Sequence, residues 1–186
     1  MSSKGLYKVI YDVAKIINLS LSPSEVLARI AEEVTKGMGA KGCFIRVVSR
    51  NGKTLEPGAS FGLSERYARK GPVEIARSRL DQDVLNGKIV TITDVRRDDR
   101  FQYPEEAAKE GLCSLVVAPL TVGGDRVIGA IRVYSDQERY FDEEELDFLH
   151  CIADLSGLAL ENARMYAALK RARELADEYT YQVFED

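Results

Sequence analysis

The stretch Leu112 to Tyr134, LCSLVVAPLTVGGDRVIGAIRVY, constrains the fold more than any other part of the chain. Two runs rich in Val, Ile and Leu flank Gly123-Gly124, and short β-branched runs on either side of a glycine pair read as a β-hairpin. With those glycines as the loop, Val122 faces Asp125, Leu115 faces Arg132 and Cys113 faces Tyr134, because antiparallel pairing sets register outward from the turn. One face is then Ser114, Val116, Ala118 and Leu120 with Val127, Gly129, Ile131 and Val133, almost wholly apolar. The other carries Cys113, Leu115, Val117 and Pro119 with Ile128, Ala130, Arg132 and Tyr134, mixing apolar and polar groups. That asymmetry predicts a sheet with helices on one side and a partly polar cavity on the other.

The flanking sequence supplies both layers. Leu6, Val9, Ile10, Val13, Ile16 and Ile17 recur at helical spacing and predict an amphipathic helix ending near Asn18. A second helix opens with Ser22 as cap, Pro23 in the first turn, Glu25 completing a capping box and Leu21 stapling onto Val26, and it stops at Gly37 and Gly39. In GCFIRVVSRNGKTLEPGASF, two strands meet at Asn51-Gly52, with Cys43, Ile45 and Val47 on one face and Phe44, Arg46 and Val48 on the other. From Gly62 to Gly111 the chain is irregular and charged, with short helices at 64–70, 78–86 and 104–110 and a short strand at 88–93. A long segment of that kind inside a compact domain reads as the wall of a binding site. Asp142 and Glu145 form a second capping box, with Phe141 stapling onto Leu146, and a long helix follows, expected to reach Asp177. It carries two apolar stripes: Leu146, Leu149, Ala153, Leu160 and Ala163, and at near-heptad spacing Leu155, Ala159, Asn162, Tyr166 and Leu169. The first suits the sheet; the second, with the N-terminal helix, suits another copy of the chain.

Composition removes several function classes. The formal charge of -4 comes from 26 basic and 30 acidic side chains with no long basic block, which argues against nucleic acid as a partner. No apolar run approaches the roughly 20 residues of a membrane span. The first residues lack the apolar centre of a secretion signal, and three scattered cysteines make no disulfide framework, so the expected compartment is the cytoplasm. The one histidine, His150, cannot build a His-rich metal site, and no cofactor is expected.

The order helix, helix, hairpin, irregular segment, hairpin, long helix resembles the GAF domain, a small-molecule-binding sensory module. The resemblance is carried by SFGLSERYARKGP (60–72), VLNGKIVTITDVRRDDRF (84–101), YPEEAAKEGLCSLVVAPL (103–120), VIGAIRVY (127–134) and FDEEELDFLHCIADLSGLALENARMY (141–166), and is similar to modules found beside bacterial histidine kinases. It implies an α+β, GAF/PAS-like fold: a central six-stranded antiparallel sheet, a helical layer on one face, a ligand pocket on the other, and homodimers through the N- and C-terminal helices. The chain then divides into an N-terminal helix at 1–20, a GAF domain at 22–163 and an extension of the last helix at 164–186. A histidine kinase or other signalling output is the expected partner.

Arg46 and Arg132 are the most informative side chains. Both lie on strands with apolar opposite faces, so neighbouring strands would aim both guanidinium groups into one cavity. There they are either neutralised by a carboxylate of the wall, such as Asp94, Asp98 or Asp99, or hold an anionic ligand. The expected ligand site comprises Phe44, Arg46, Phe61, Tyr67, Asp94, Phe101, Cys113, Leu115, Arg132 and Tyr134, with Tyr103 nearby and the aromatic rings suited to a planar group. Relatives that reduce free methionine sulfoxide use cysteines around the pocket. Here Cys43 and Cys113 are expected on opposite faces of the sheet, so a bridge between them is forbidden and a lone thiol at Cys113 remains. The leading expectation is a non-catalytic sensor of an anionic or aromatic molecule. The alternatives are a ligand-free dimerisation or adaptor module and a thiol reductase.

Overall fold

The computed structural model describes residues 3–19 and 22–184. Its helices are α1 (Ser3–Leu19), α2 (Pro23–Gly37), α3 (Glu65–Ala68), α4 (Arg79–Leu85), α5 (Pro104–Glu110) and α6 (Glu143–Phe184). Its strands are β1 (Gly42–Val48), β2 (Thr54–Phe61), β3 (Val73–Glu74), β4 (Val90–Ile92), β5 (Ser114–Val122) and β6 (Arg126–Ser135). They form one six-stranded antiparallel sheet in the order β3-β2-β1-β6-β5-β4, which seats the two hairpins side by side through β1 and β6. The sheet divides two cores. Cys43, Ile45, Val116, Ala118, Ile131 and Val133 pack under α1, α2 and α6. Phe44, Leu115, Val117, Ala130 and Tyr134 pack under the irregular segment, against Tyr67, Leu80, Val84 and Phe101.

The β5–β6 register departs from the expected one by two residues, yet both faces survive. The loop is Gly123-Gly124-Asp125, with Val122 opposite Arg126, and the left-handed φ values of 69° and 97° at the two glycines permit that turn. The longer loop slips the register by one residue. A bulge between Leu120 and Thr121 slips it by one more, so Leu115 faces Tyr134 and Val117 faces Arg132. Two slips restore the alternation that one would have inverted. The exception is the bulged stretch: Ile128 joins the helix-side core rather than the pocket side, and Val127 is displaced to a half-buried position. The β1–β2 connection is likewise longer than a two-residue turn. It spans 49–53, with Gly52 at φ 70° and the Asn51 side chain accepting from the Lys53 backbone N–H at 2.9 Å.

Helix ends follow the capping chemistry unevenly. At α6 the box is complete: the Asp142 carboxylate accepts from the Glu145 N–H at 2.9 Å, and the Glu145 carboxylate accepts from the Asp142 N–H at 3.3 Å. At α2 Ser22 holds the extended N-cap conformation, but its hydroxyl meets that of Ser24 at 3.1 Å and makes no cap bond. Leu21, the expected staple, lies outside the described residues. α6 runs past Asp177 to Phe184. Leu149, Ala153, Leu160 and Ala163 of its first stripe are buried and Leu146 is half-buried. The second divides, since Leu155 and Ala159 join this chain's own core while Tyr166 and Leu169 are exposed. Leu6, Val9, Val13 and Ile16 of α1 are also spent on that core, leaving Tyr7 and Tyr11 outermost.

Candidate functional site

The pairing of β1 with β6 sets Phe44 opposite Arg132 and Arg46 opposite Ala130, so both arginines rise from one face of the sheet two rungs apart. Both are buried, at 0% and 2% exposure. Arg46 is held at one end: Nη1 donates to the Leu55 and Gly71 carbonyls, each at 3.0 Å, and the guanidinium carbon lies 4.3 Å from the centre of the Phe44 ring. Its Nε and Nη2 are buried and without a hydrogen-bond partner among the described residues. These two N–H groups form one edge of the planar fork, the edge that engages a carboxylate or phosphate with two parallel hydrogen bonds.

Arg132 is neutralised, though not by the expected residues. Its Nη2 donates to Asp81 of α4, itself 1% exposed, and the other Asp81 oxygen accepts from the Ser78 hydroxyl at 2.6 Å. The same Ser78 hydroxyl accepts from the Asp81 N–H at the start of α4. Burial opposes the Arg132 charge, but Asp81 and Tyr134 together outweigh it and hold the guanidinium above its ordinary value. Arg46 has no such carboxylate, and burial together with the Arg132 charge lowers its value. The expected partners are used elsewhere: Asp94 pairs with Arg96 at 2.7 Å and with Arg97 at 3.6 Å, Asp98 pairs with Arg100 at 2.5 Å, and Asp99 is exposed.

A third basic side chain closes the cluster. Lys70, just after α3, places its Nζ 3.2 Å from the centre of the Tyr67 ring, with the Tyr103 and Phe101 rings at 5.1 and 5.9 Å. The Nζ is buried without a hydrogen-bond partner among the described residues. Burial, then the Arg132 and Arg46 charges, pull its pKa down to about 6. Tyr67 meets Tyr134 edge to face with centroids 5.7 Å apart. The two hydroxyls and Arg132 Nε lie buried without a hydrogen-bond partner among the described residues, and burial keeps the Tyr67 phenol protonated. Tyr103 instead donates to the Pro72 carbonyl at 2.7 Å. Three basic side chains are thus packed among aromatic rings beside one buried carboxylate, and several donors have no partner among the described residues. Such a set favours an anion with oxygen acceptors and a planar body.

Of the residues expected from sequence, Phe44, Arg46, Tyr67, Phe101, Leu115, Arg132 and Tyr134 share this face. Phe61 does not: it pairs with Cys43 and packs against the helix-side core, because the bulge between Ile45 and Arg46 fixes the β2 phase there. Asp94 and Cys113 form a separate group in which Arg96 joins the Asp94 carboxylate to the Cys113 sulfur at 3.6 Å. Burial pushes the Cys113 thiol up, toward the less reactive form. Asp81 and Lys70 were not anticipated. The one available signal for Asp81 was its place between Leu80 and Val84 on the apolar side of a Ser-capped turn; for Lys70 it was Tyr67 three residues earlier.

A sheet with helices on one face and an enclosed polar cluster on the other defines an α+β domain of the GAF/PAS-like class. The GAF domain model matches residues 20–161, and the chain belongs to that family. A methyl sulfide methyltransferase-associated sensor from Methanosarcina acetivorans is 28% identical over 167 residues, covering 86% of this chain and 16% of that protein. The chain therefore spans about a sixth of that relative's length. Among solved structures, the GAF domain of a phosphoenolpyruvate-protein phosphotransferase from Coxiella burnetii superposes with a TM-score of 0.80 at 14% identity, covering 90% of this chain and 99% of that one. Free methionine-R-sulfoxide reductase from Neisseria meningitidis, in complex with its substrate, gives 0.73 at 19% identity, covering 89% and 95%. These similarities establish the fold. Among the described residues no helix is long and apolar enough to cross a membrane, and no group of three or more His, Cys, Asp and Glu is placed to hold a metal.

Proposed function

We propose that this chain is a non-catalytic sensory module of signal transduction that binds a small anionic molecule, with an aromatic or otherwise planar body, between the sheet and the segment 62–111. The observation that carries this reading is the Arg46 edge: an end-anchored, buried guanidinium whose Nε and Nη2 have no acceptor among the described residues. A buried cation of that kind is costly, and an incoming oxyanion relieves the cost by supplying both charge and acceptors. Family membership supports a sensory or regulatory role, and the relative from Methanosarcina acetivorans is itself described as a sensor. Ligand entry must part Lys70 and Tyr67 from Phe101 and Tyr103, which shifts the wall against the sheet; α6, on the other side, passes the change to a homodimer partner and to a histidine kinase or other output.

A second reading has its own support. The cluster is covered by this chain's side chains, as in a ligand-free adaptor whose cavity is filled from within. A thiol reductase is the weakest alternative, with Cys43 facing the helix-side core, Cys151 exposed on α6 and the Cys113 thiol pushed up by burial. A thermal-shift screen of carboxylic acids and phosphate esters separates them. The sensor reading expects at least one anion to raise Tm by mass action, and Arg46→Met to abolish the shift while the variant still folds. If no anion shifts Tm, or Arg46→Met responds as the parent does, the adaptor reading stands. Turnover of methionine sulfoxide that is lost in Cys113→Ser would restore the reductase.

A further inference from the structure

A groove of about 670 Å³ lies where the β1–β2 and β5–β6 connections meet the middle of α6. Arg50 comes from the first connection, Arg126 from the start of β6, and Arg164 and Arg171 from α6, above an apolar floor that includes Val127 and Ile128. The acids nearby are few. Glu161 takes Arg126 at 2.6 Å, and Glu56, which accepts from the Thr54 hydroxyl, lines an adjoining depression shared by Arg50 and Arg164. Arg171 donates only to the Ala167 carbonyl of its own helix, at 3.3 Å, and neither Arg50 nor Arg164 has a carboxylate partner among the described residues. In a chain of net charge -4, four arginines against two carboxylates around one concavity is a local reversal of sign. A concave, low-dielectric wall focuses that field on the groove.

We propose that this groove is a second ligand site, for a multivalent oxyanion such as a di- or triphosphate group, and that its occupation fixes the projecting part of α6 to the two hairpin connections. Planar guanidinium forks suit phosphoryl oxygens. Two of the forks belong to α6, one to the β1–β2 connection and one to the start of β6, so one polyanion bridges the elements. From Arg164 to Asp177 α6 is almost entirely exposed, and a helix held by so few tertiary contacts is readily stiffened by a bound group. The site is independent of the Arg46 cluster, which lies on the other face of the sheet.

The test is titration of the full chain with sodium tripolyphosphate, against sodium chloride of matched ionic strength, with heat of binding and amide exchange as readouts. Saturable one-to-one binding is expected, with slower exchange over residues 164–171. Arg50→Gln combined with Arg164→Gln, both exposed and harmless to the fold, should weaken binding by about tenfold or more, the scale of one lost charge-assisted hydrogen bond. Arg46→Met should bind as the parent does. Equal affinity for a nucleoside triphosphate assigns recognition to the phosphates alone; tighter binding adds a base contact, and both support the site. Binding that merely follows ionic strength, an unaffected double variant, or loss in Arg46→Met overturns it.

Discussion

Arg132 and Asp81, fifty-one residues apart in sequence, form an ion pair in which neither side chain is more than 2% exposed. The pair ties α4, and with it the irregular wall, to the centre of β6. Removing one member leaves a bare charge in a low-dielectric setting. Asp81→Asn should therefore cost about 3–5 kcal/mol of stability. Replacing both, as Asp81→Leu with Arg132→Met, should recover most of that loss. Urea denaturation of the three proteins checks this, and a mild single variant would show that the pair is solvated in solution.

Lys70 makes stability depend on pH in a defined window. The ordinary value is 10.5, and the folded value is about 6. Between them the unfolded chain binds a proton that the folded chain does not, so stability rises with pH from about 6 toward 10.5, and below about 6 the full cost of charging is present. The groups facing the amine are Arg132 and Arg46, which oppose its charge, and Glu106 and Asp81, which favour it. Lys70→Met should be more stable than the parent at pH 6.5, with the advantage shrinking by pH 9. Parallel stability curves for the two proteins would place the amine in water.

Gly157 reverses the usual rule for helix glycines. Propensity alone predicts that Gly157→Ala gains about 1 kcal/mol. A Cβ there would sit 2.5 Å from the Thr121 carbonyl oxygen of β5, which is backbone and cannot swing aside. The substitution should instead destabilise by about 1–3 kcal/mol, the range for overpacking. A rise in Tm would show that α6 sits farther from β5.

The exposed apolar side chains of α6 test the proposed homodimer. Met165, Leu169 and Leu175 are 57%, 71% and 59% exposed on a single chain. Met165→Glu with Leu169→Glu should weaken self-association in sedimentation equilibrium while leaving the domain's melting transition in place. Self-association of unchanged strength would move the interface elsewhere.

Asp142→Ala should cost about 1 kcal/mol, since it removes the acceptor for the Glu145 N–H while the reciprocal bond from the residue-142 backbone N–H to the Glu145 carboxylate stays in place. Ser22→Ala should cost less, because the Ser22 hydroxyl makes no cap bond. Equal losses would indicate that Ser22 caps α2 in solution.

Local chemistry was readable from the chain itself. Side-chain alternation in β5 and β6 assigned the two faces even though the pairing was off by two residues, because alternation has a period of two and tolerates an even error. Ser64, Ser78 and Asp142 marked helix starts through the hydrogen bonds their own side chains make. Arg46 and Arg132 drew notice because a charge on a half-apolar strand demands a partner. Which partner was a tertiary matter. Asp94, Asp98 and Asp99 were as plausible as Asp81 on sequence, and the choice fell to Asp81 because α4 packs on β5 and β6 and turns its Leu80–Asp81–Val84 side inward. Phe61 went to the opposite face through a bulge that no residue preference announces. Lys70 was pressed onto Tyr67 by the closure of a segment whose ends are set by long-range pairing. Short-range periodicity fixes which residues leave a strand or helix together; only the folded chain decides which distant charge they meet.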